Sequence, residues 1–284
     1  MSSKINSNLL KKNNYCNWNQ FNDFKTKEEI SFYFYKNSVI YKILKKLFTN
    51  FKLYVLKIKL FQTNNLLHIL ISYFYMKPNN ALKHNKIRPK KIEHSLFIKK
   101  IIKILNNYTD TKLDFYIIIQ NIQKYLLKLK KFINYCKLKK NLYLKFRKYE
   151  TKFNFLKTSL KLFLIILKKP NTATLLSEYI SSLFKFKIYK KEHLKIFKLF
   201  KLIIKILLTL NFSIYNGLKL SIKGRINGFA RAKTRTFQSG IMPLNTFNAR
   251  IYYAKNTAFT KNGTIGIKVW MYEQNKILSK KNDF

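Results

Sequence analysis

All six glycines of this 284-residue chain lie between Gly217 and Gly266, and the first 216 residues have none. The carboxylates are uneven too, with none between Glu192 and Glu273. The last third is therefore expected to be a separate domain, with strand-and-turn chemistry and pure positive charge. From Gly217 the side-chain period is two, so Leu218, Leu220 and Ile222 alternate with Lys219, Ser221 and Lys223. Asn227-Gly228 is a hairpin-turn dipeptide. The return strand is expected to put Arg231, Lys233 and Arg235 on one face, with Ala232, Thr234 and Thr236 opposite, packing on helices or a neighbouring strand. A third strand is expected to put Phe247, Ala249, Ile251 and Tyr253 on one face. A fourth puts Ile265, Ile267, Val269 and Met271 on one face and Lys268, Trp270 and Tyr272 on the other.

Two helices precede these strands. Asn171-Thr172 opens the first, which runs through Leu175, Leu176, Tyr179, Ile180 and Leu183. The second is expected from about Lys190 to Leu210. Its lysines at 191, 195, 198, 201 and 205 are three or four residues apart and form one stripe. Such a stripe is a solvated face in an ordinary protein; in this chain a phosphate-facing role is the favoured reading. Two helices followed by four alternating strands describe an α+β layer, with helices on one face of a mostly antiparallel sheet.

Further upstream, a helical pattern passes through Ile40, Ile43, Leu44 and Leu47, and the runs Leu53 to Leu60 and Leu66 to Tyr75 read as strands. Pro78, Asn79, Asn80 and Pro89 mark a boundary crowded by Lys86, Arg88, Lys90 and Lys91. Residues 96–150 read as Lys-rich helices, for example through Leu126, Leu127, Leu129, Phe132 and Ile133. Leu160 to Leu167 is a buried apolar run ended by Lys168-Lys169-Pro170.

Charge narrows the function. Lys plus Arg is 58 against 11 carboxylates, a net charge of +47, while 47% of the chain is apolar. Free in water such a chain repels itself, so it needs a polyanion: nucleic acid or an anionic membrane. No apolar run approaches the about 20 residues that a membrane span requires. Cys16 and Cys136 offer no disulfide framework or paired-cysteine metal site. The dispersed Asp23, Asp110, Asp114 and Asp283, and the scattered His68, His84, His94 and His193, form no catalytic set. No cofactor and no enzymatic activity are expected. The richness in Lys (52), Asn (30), Phe and Tyr points to an AT-rich, organellar gene. The start of the chain shows neither a transit nor a signal pattern. Only six arginines occur, and Arg225, Arg231, Arg235 and Arg250 fall within 26 residues. In a chain that otherwise uses Lys, their clustering suggests a fork onto phosphate or a base edge.

Three ordered motifs carry a resemblance. They are Gly217-Leu-Lys-Leu-Ser-Ile-Lys-Gly-Arg-Ile-Asn-Gly228 with Ala230-Arg231-Ala232-Lys233, then Pro243-Leu-Asn-Thr246-Phe-Asn-Ala249-Arg-Ile251-Tyr-Tyr253, then Gly263-Thr-Ile-Gly266-Ile-Lys268-Val-Trp270. Together they resemble the C-terminal domain of the small-subunit ribosomal protein S3 family. Lys168-Lys-Pro170 and Leu175-Leu-Ser-Glu-Tyr-Ile180 resemble the helix that begins that domain, and Ser3-Lys4-Ile5-Asn6 with Trp18 faintly resembles the family's N-terminus.

The resemblance implies an α+β chain. A degenerate KH-like N-terminal half (residues 1–78) is followed by a Lys-rich helical insertion (79–158) and a closing strand of the KH-like domain (159–170). A C-terminal domain of two helices and four antiparallel strands (171–276) and a tail (277–284) complete it. The family's first domain clamps RNA with a GxxG loop. That loop should follow Met76-Lys77-Pro78, where this chain has no glycine, so the clamp is not carried over. The resemblance implies a structural constituent of the small-subunit head, lying along the channel by which mRNA enters. Its partners would be small-subunit rRNA, mRNA and neighbouring head proteins, with no membrane span and no homo-oligomer. A mitochondrial ribosome is favoured, with a plastid one as the alternative. The implied RNA-binding residues near the helix are Lys190, Lys191, Lys195 and Lys198, where the family prefers Arg and Lys loses the planar fork. Arg225, Arg231, Lys233, Arg235, Arg250 and Lys268 complete the set. Competing readings are a maturase-like RNA-processing protein, which lacks clustered acidic metal ligands, and a membrane-surface protein, which leaves the basic strands unexplained.

Overall fold

The computed structural model describes residues 20–22, 27–51, 53–62, 66–75, 94–107, 114–122, 159–160, 162–163, 165–166, 169–185, 192–208 and 213–273. The chain divides into two compact units, one of Trp18–Thr158 and one of Met1–Asn17 with Ser159–Phe284.

In the first unit, β1 (Gln20–Asn22), α1 (Lys27–Asn50), β2 (Leu53–Gln62), β3 (Leu66–Tyr75), α2 (His94–Asn106) and β4 (Asp114–Asn121) follow in order. The sheet order is β1-β2-β3-β4, with β1 parallel to β2, β2 antiparallel to β3 and β3 parallel to β4. Ile40, Leu44 and Phe48 recur every four residues along α1 and are buried, so one helical stripe supplies its core face. They pack in one cluster with Leu53, Val55, Ile58 and Leu60 of β2, Leu67, Ile69 and Ile71 of β3, and Ile101 and Leu105 of α2. The buried set in β2 switches from odd to even positions. A bulge between Val55 and Lys57 absorbs one residue and keeps both halves on the core side.

The second unit contains α3 (Ala173–Lys185), α4 (His193–Leu208), β5 (Tyr215–Gly224), a 3₁₀ turn (Ile226–Gly228), β6 (Lys233–Gly240), β7 (Arg250–Thr260) and β8 (Gly263–Glu273). The sheet is antiparallel throughout, in the order β6-β5-β8-β7. α3 lies over β7 and β8, and α4 lies along β5 and β6. The expected arrangement of two helices and four antiparallel strands is present. Gly217 and Gly240 are register partners where β5 and β6 begin and end. A Cβ on Gly217 would stand 1.8 Å from the Ile241 carbonyl oxygen, and one on Gly240 would stand 2.0 Å from that of Asn216. Only glycine allows the two backbones to approach this closely.

Four expectations need correction. The run 160–167 does not close the first sheet as a strand. Residues 159, 160, 162, 163, 165 and 166 are helical, Lys169 N–H donates to the Ile165 carbonyl at 3.1 Å, and Ser159 begins the second unit. Buried Leu162, Phe163, Ile165 and Ile166 form one helical face, and an apolar run alone does not separate helix from strand. The strand that pairs parallel to β3 is β4, inside the segment expected to be helical; its alternation of exposed and half-buried residues is strand-like.

The third strand of the second unit is the third correction. Its helix-facing residues are Tyr252, Ala254 and Ala258, in register with Met271, Val269 and Ile265, while Phe247 lies before the strand and is exposed. Ile251 and Tyr253 share the opposite face, as expected, and Ile251 is buried there; Phe247 and Ala249 fall outside the strand, which begins at Arg250. Fourth, Arg231 precedes β6, and Lys233 and Arg235 point to the helix side, the same side as buried Phe237 opposite Leu220. Thr234 and Thr236 face away from the helices. The part of the expected Lys-rich helical run that falls at 123–150, residues 78–89 and the tail 277–284 lie outside the described residues.

Candidate nucleic-acid interface

The basic side of the second unit starts from the register of α4. Ile196, Leu199, Phe200, Ile203 and Ile204 are buried, which turns Lys195, Lys198, Lys201 and Lys205 outward. At 1.5 Å per residue the four ammonium-bearing positions span about 15 Å of helix. Only Lys195 of this stripe has a described carboxylate close by, Glu192 at 3.5 Å, and that pair is exposed and weak.

The N-terminus of α4 is held against the β5–β6 connection. Asn227 sits at φ 57°, a left-handed conformation that asparagine tolerates. Its side-chain Oδ1 accepts from the Leu194 N–H at 3.2 Å, satisfying one of the donors a helix start leaves free. Its own N–H donates to His193 Nδ1 at 3.3 Å. That bond requires an unprotonated Nδ1. Burial lowers the pKa of His193, and the Phe184 ring stands edge-on 5.0 Å away.

This clamp places the arginine-bearing connection beside the stripe. Arg225 donates its Nε–H to the Phe229 carbonyl at 2.9 Å, which steadies an exposed guanidinium. The Lys233 ammonium lies 4.9 Å from the centre of the Phe229 ring, and that of Lys201 lies 5.6 Å from the Phe237 ring. Arg231, Lys233 and Arg235 are all exposed, because the start of β6 runs past the cover of the helices. Helix α4, the connection and the first residues of β6 therefore present Lys195, Lys198, Lys201, Lys205, Arg225, Arg231, Lys233 and Arg235 on one side of the unit. An arrangement of this kind can hold a phosphate backbone by charge-assisted hydrogen bonds.

The other expected site residues fall elsewhere. Lys190 and Lys191 lie outside the described residues. Arg250 opens the far edge strand and stands in register opposite Glu273, which gives it a local counter-charge. Lys268 is on the sheet face away from the helices. Lys201 and Lys205 belong to the stripe as fully as Lys195 and Lys198, and the helical period alone identifies them. Lys255 is exposed on the same face of β7 as Ile251 and Tyr253, where the period of two places it. Among the described residues, no cluster of His, Cys, Asp or Glu is placed to hold a metal ion, and no helix is long and apolar enough to cross a membrane.

The family profile for "Ribosomal protein S3, C-terminal domain" matches residues 200–271, which cover the C-terminal half of α4 and all of the antiparallel sheet but the last two residues of β8. The chain is similar to the "Small ribosomal subunit protein uS3" of Aquifex pyrophilus, 49% identical over 57 residues, 20% of this chain and 25% of that protein. That of Karelsulcia muelleri is 46% identical over 68 residues, 24% of this chain and 30% of the relative. The "Small ribosomal subunit protein uS3c" of Gracilaria tenuistipitata is 39% identical over 67 residues, 24% and 31% respectively. The similarity thus spans between a quarter and about three tenths of the length of these relatives.

Proposed function

We propose, from the match of residues 200–271 to the C-terminal domain of ribosomal protein S3, that the chain is a member of that family and a structural, non-catalytic constituent of an organellar small ribosomal subunit. It binds small-subunit rRNA in the subunit head and contributes to the channel by which mRNA enters. The observation that carries this reading is the basic side built by α4, the β5–β6 connection and β6. The stripe and the arginine cluster are separated in sequence, and the His193–Asn227 clamp joins them. Neighbouring head proteins and mRNA are its further partners, and it acts as a single copy.

The first unit takes the place of the family's KH-like domain. Without glycine at 77–93 it lacks a GxxG backbone clamp. The AT-biased composition supports an organellar gene, and the divergence of the chain before residue 200 favours a mitochondrial ribosome over a plastid one.

The test is the triple variant Arg231→Ala, Lys233→Ala, Arg235→Ala. All three side chains are exposed, so thermal unfolding should be unchanged. Incorporation into small subunits should fall, and the salt dependence of RNA binding should weaken by up to about three phosphate contacts. Unchanged incorporation and slope would contradict the reading.

A further inference from the structure

The antiparallel sheet of the second unit has a face that α3 and α4 do not cover. Register defines its rows. One row is Gln238, Lys219, Trp270 and Tyr253, from β6, β5, β8 and β7 in turn. The next is Thr236, Ser221, Lys268 and Lys255, and the third is Thr234, Lys223, Gly266 and Thr257. An aromatic row therefore lies beside a lysine row, about 7 Å away, the span of two residues along a strand.

Two features of this face point to an anionic, base-bearing partner. Lys255 and Lys268 are direct cross-strand neighbours, a like-charge pair that costs stability in an isolated sheet. None of the positions in the three rows is a carboxylate. Glu273 lies on the helix side, where it accepts from the Tyr252 hydroxyl at 2.5 Å. The charge of this face is thus left for something outside the sheet to neutralise. Beside it, the half-buried Trp270 and Tyr253 rings stand 5.4 Å apart, inclined at 42°. The Lys219 ammonium lies 5.6 Å from the centre of the Trp270 ring. A flat π-system arriving over Trp270 can take the place of that ammonium, and the freed Lys219 then meets the phosphate the base brings with it.

We propose that this open face is a stacking platform for unpaired RNA, with bases on Trp270 and Tyr253 and backbone phosphates on Lys219, Lys223, Lys255 and Lys268. It is a second RNA surface, on a different side of the unit from the α4–β6 basic side, and it rests on the reading of the chain as an RNA-binding protein. Stacking is tolerant of sequence because every base has a π-face, so the platform suits an unpaired segment whatever its bases.

The test uses the full chain with Trp18→Phe, which leaves Trp270 as its one indole. Oligouridylate and inorganic polyphosphate of equal charge are titrated separately. Stacking should quench Trp270 fluorescence with oligouridylate and not with polyphosphate. Trp270→Leu should weaken oligouridylate binding about fivefold or more, with an unchanged salt slope, since no phosphate contact is lost. Trp270→Tyr should restore most of the affinity, which separates stacking from a folding defect. The double variant Lys255→Gln, Lys268→Gln should instead lower the slope by about two phosphate contacts at most. Equal binding of both ligands without quenching, or affinity insensitive to Trp270→Leu, would overturn the platform while leaving RNA binding through the other side intact. Failure of both ligands to bind would overturn the platform and the RNA-binding reading together.

Discussion

A single asparagine connects the two halves of the basic side. Asn227 accepts from Leu194 and donates to His193, so the turn and the start of α4 hold each other in place. Asn227→Ala should lower stability by about 1 kcal/mol, the usual cost of losing a helix N-terminal acceptor. Thermal melts of the full chain bound to RNA check this. His193 adds a pH dependence. Its folded-state pKa lies below the ordinary value of 6.5, so the unfolded chain binds the proton first as pH falls. The stabilisation is full above about pH 6.5 and is lost as pH falls through the lower folded value. A melting temperature that falls below pH 6.5 in the parent chain, with a smaller fall in His193→Gln, is the expected result; equal falls would contradict it. Gly240→Ala should cost about 2 kcal/mol or more. It combines a positive φ of 73° with a Cβ in collision with a backbone carbonyl. The turn at Asn227-Gly228 was legible from the dipeptide. The clamp to His193 was not, because it joins residues 34 apart and depends on where a helix starts.

At the scale of elements, α4 is the clearest case of sequence stating structure. Its lysines recur at three and four, and the structure exposes each described one while burying Ile196, Leu199, Phe200, Ile203 and Ile204. Replacing Lys195, Lys198, Lys201 and Lys205 by Gln keeps helix propensity nearly constant. The variant should keep its helicity by circular dichroism and lose up to about four phosphate contacts from the salt slope of RNA binding. An unchanged slope would mark the stripe as a merely solvated face. The strands were legible where alternation was strong, as in β5 and β8. In β7 the period was legible and the start was not, since Phe247 and Ala249 lie before the strand. The run 160–167 failed because unbroken apolarity fits a buried strand and a buried helix equally. At β6 the spacing of Arg231, Lys233 and Arg235 gave the alternation, while the partner strand decided which face was which, through Phe237 opposite Leu220.

For the whole molecule, the excess of 47 positive charges governs behaviour more than any one contact. Self-repulsion opposes folding until a polyanion compensates it, so RNA should raise the melting temperature in a concentration-dependent way. The order of strands in the first unit was beyond the sequence. β1 pairs parallel with β2 across the whole of α1, and β4 joins from a segment whose lysines read as helix. By contrast, the second unit declared itself through its glycines, its alternation and its three motifs, and the family match falls on the same residues. The central claim, that the chain is a small-subunit ribosomal protein held by rRNA, is tested most directly by sedimenting a lysate of the source cells through a sucrose gradient. The chain and small-subunit rRNA are followed across the fractions, with and without ribonuclease. The chain should travel with the small-subunit rRNA and move to lighter fractions after ribonuclease. A chain that instead floats with membranes, or whose position ribonuclease leaves unchanged, would contradict the claim.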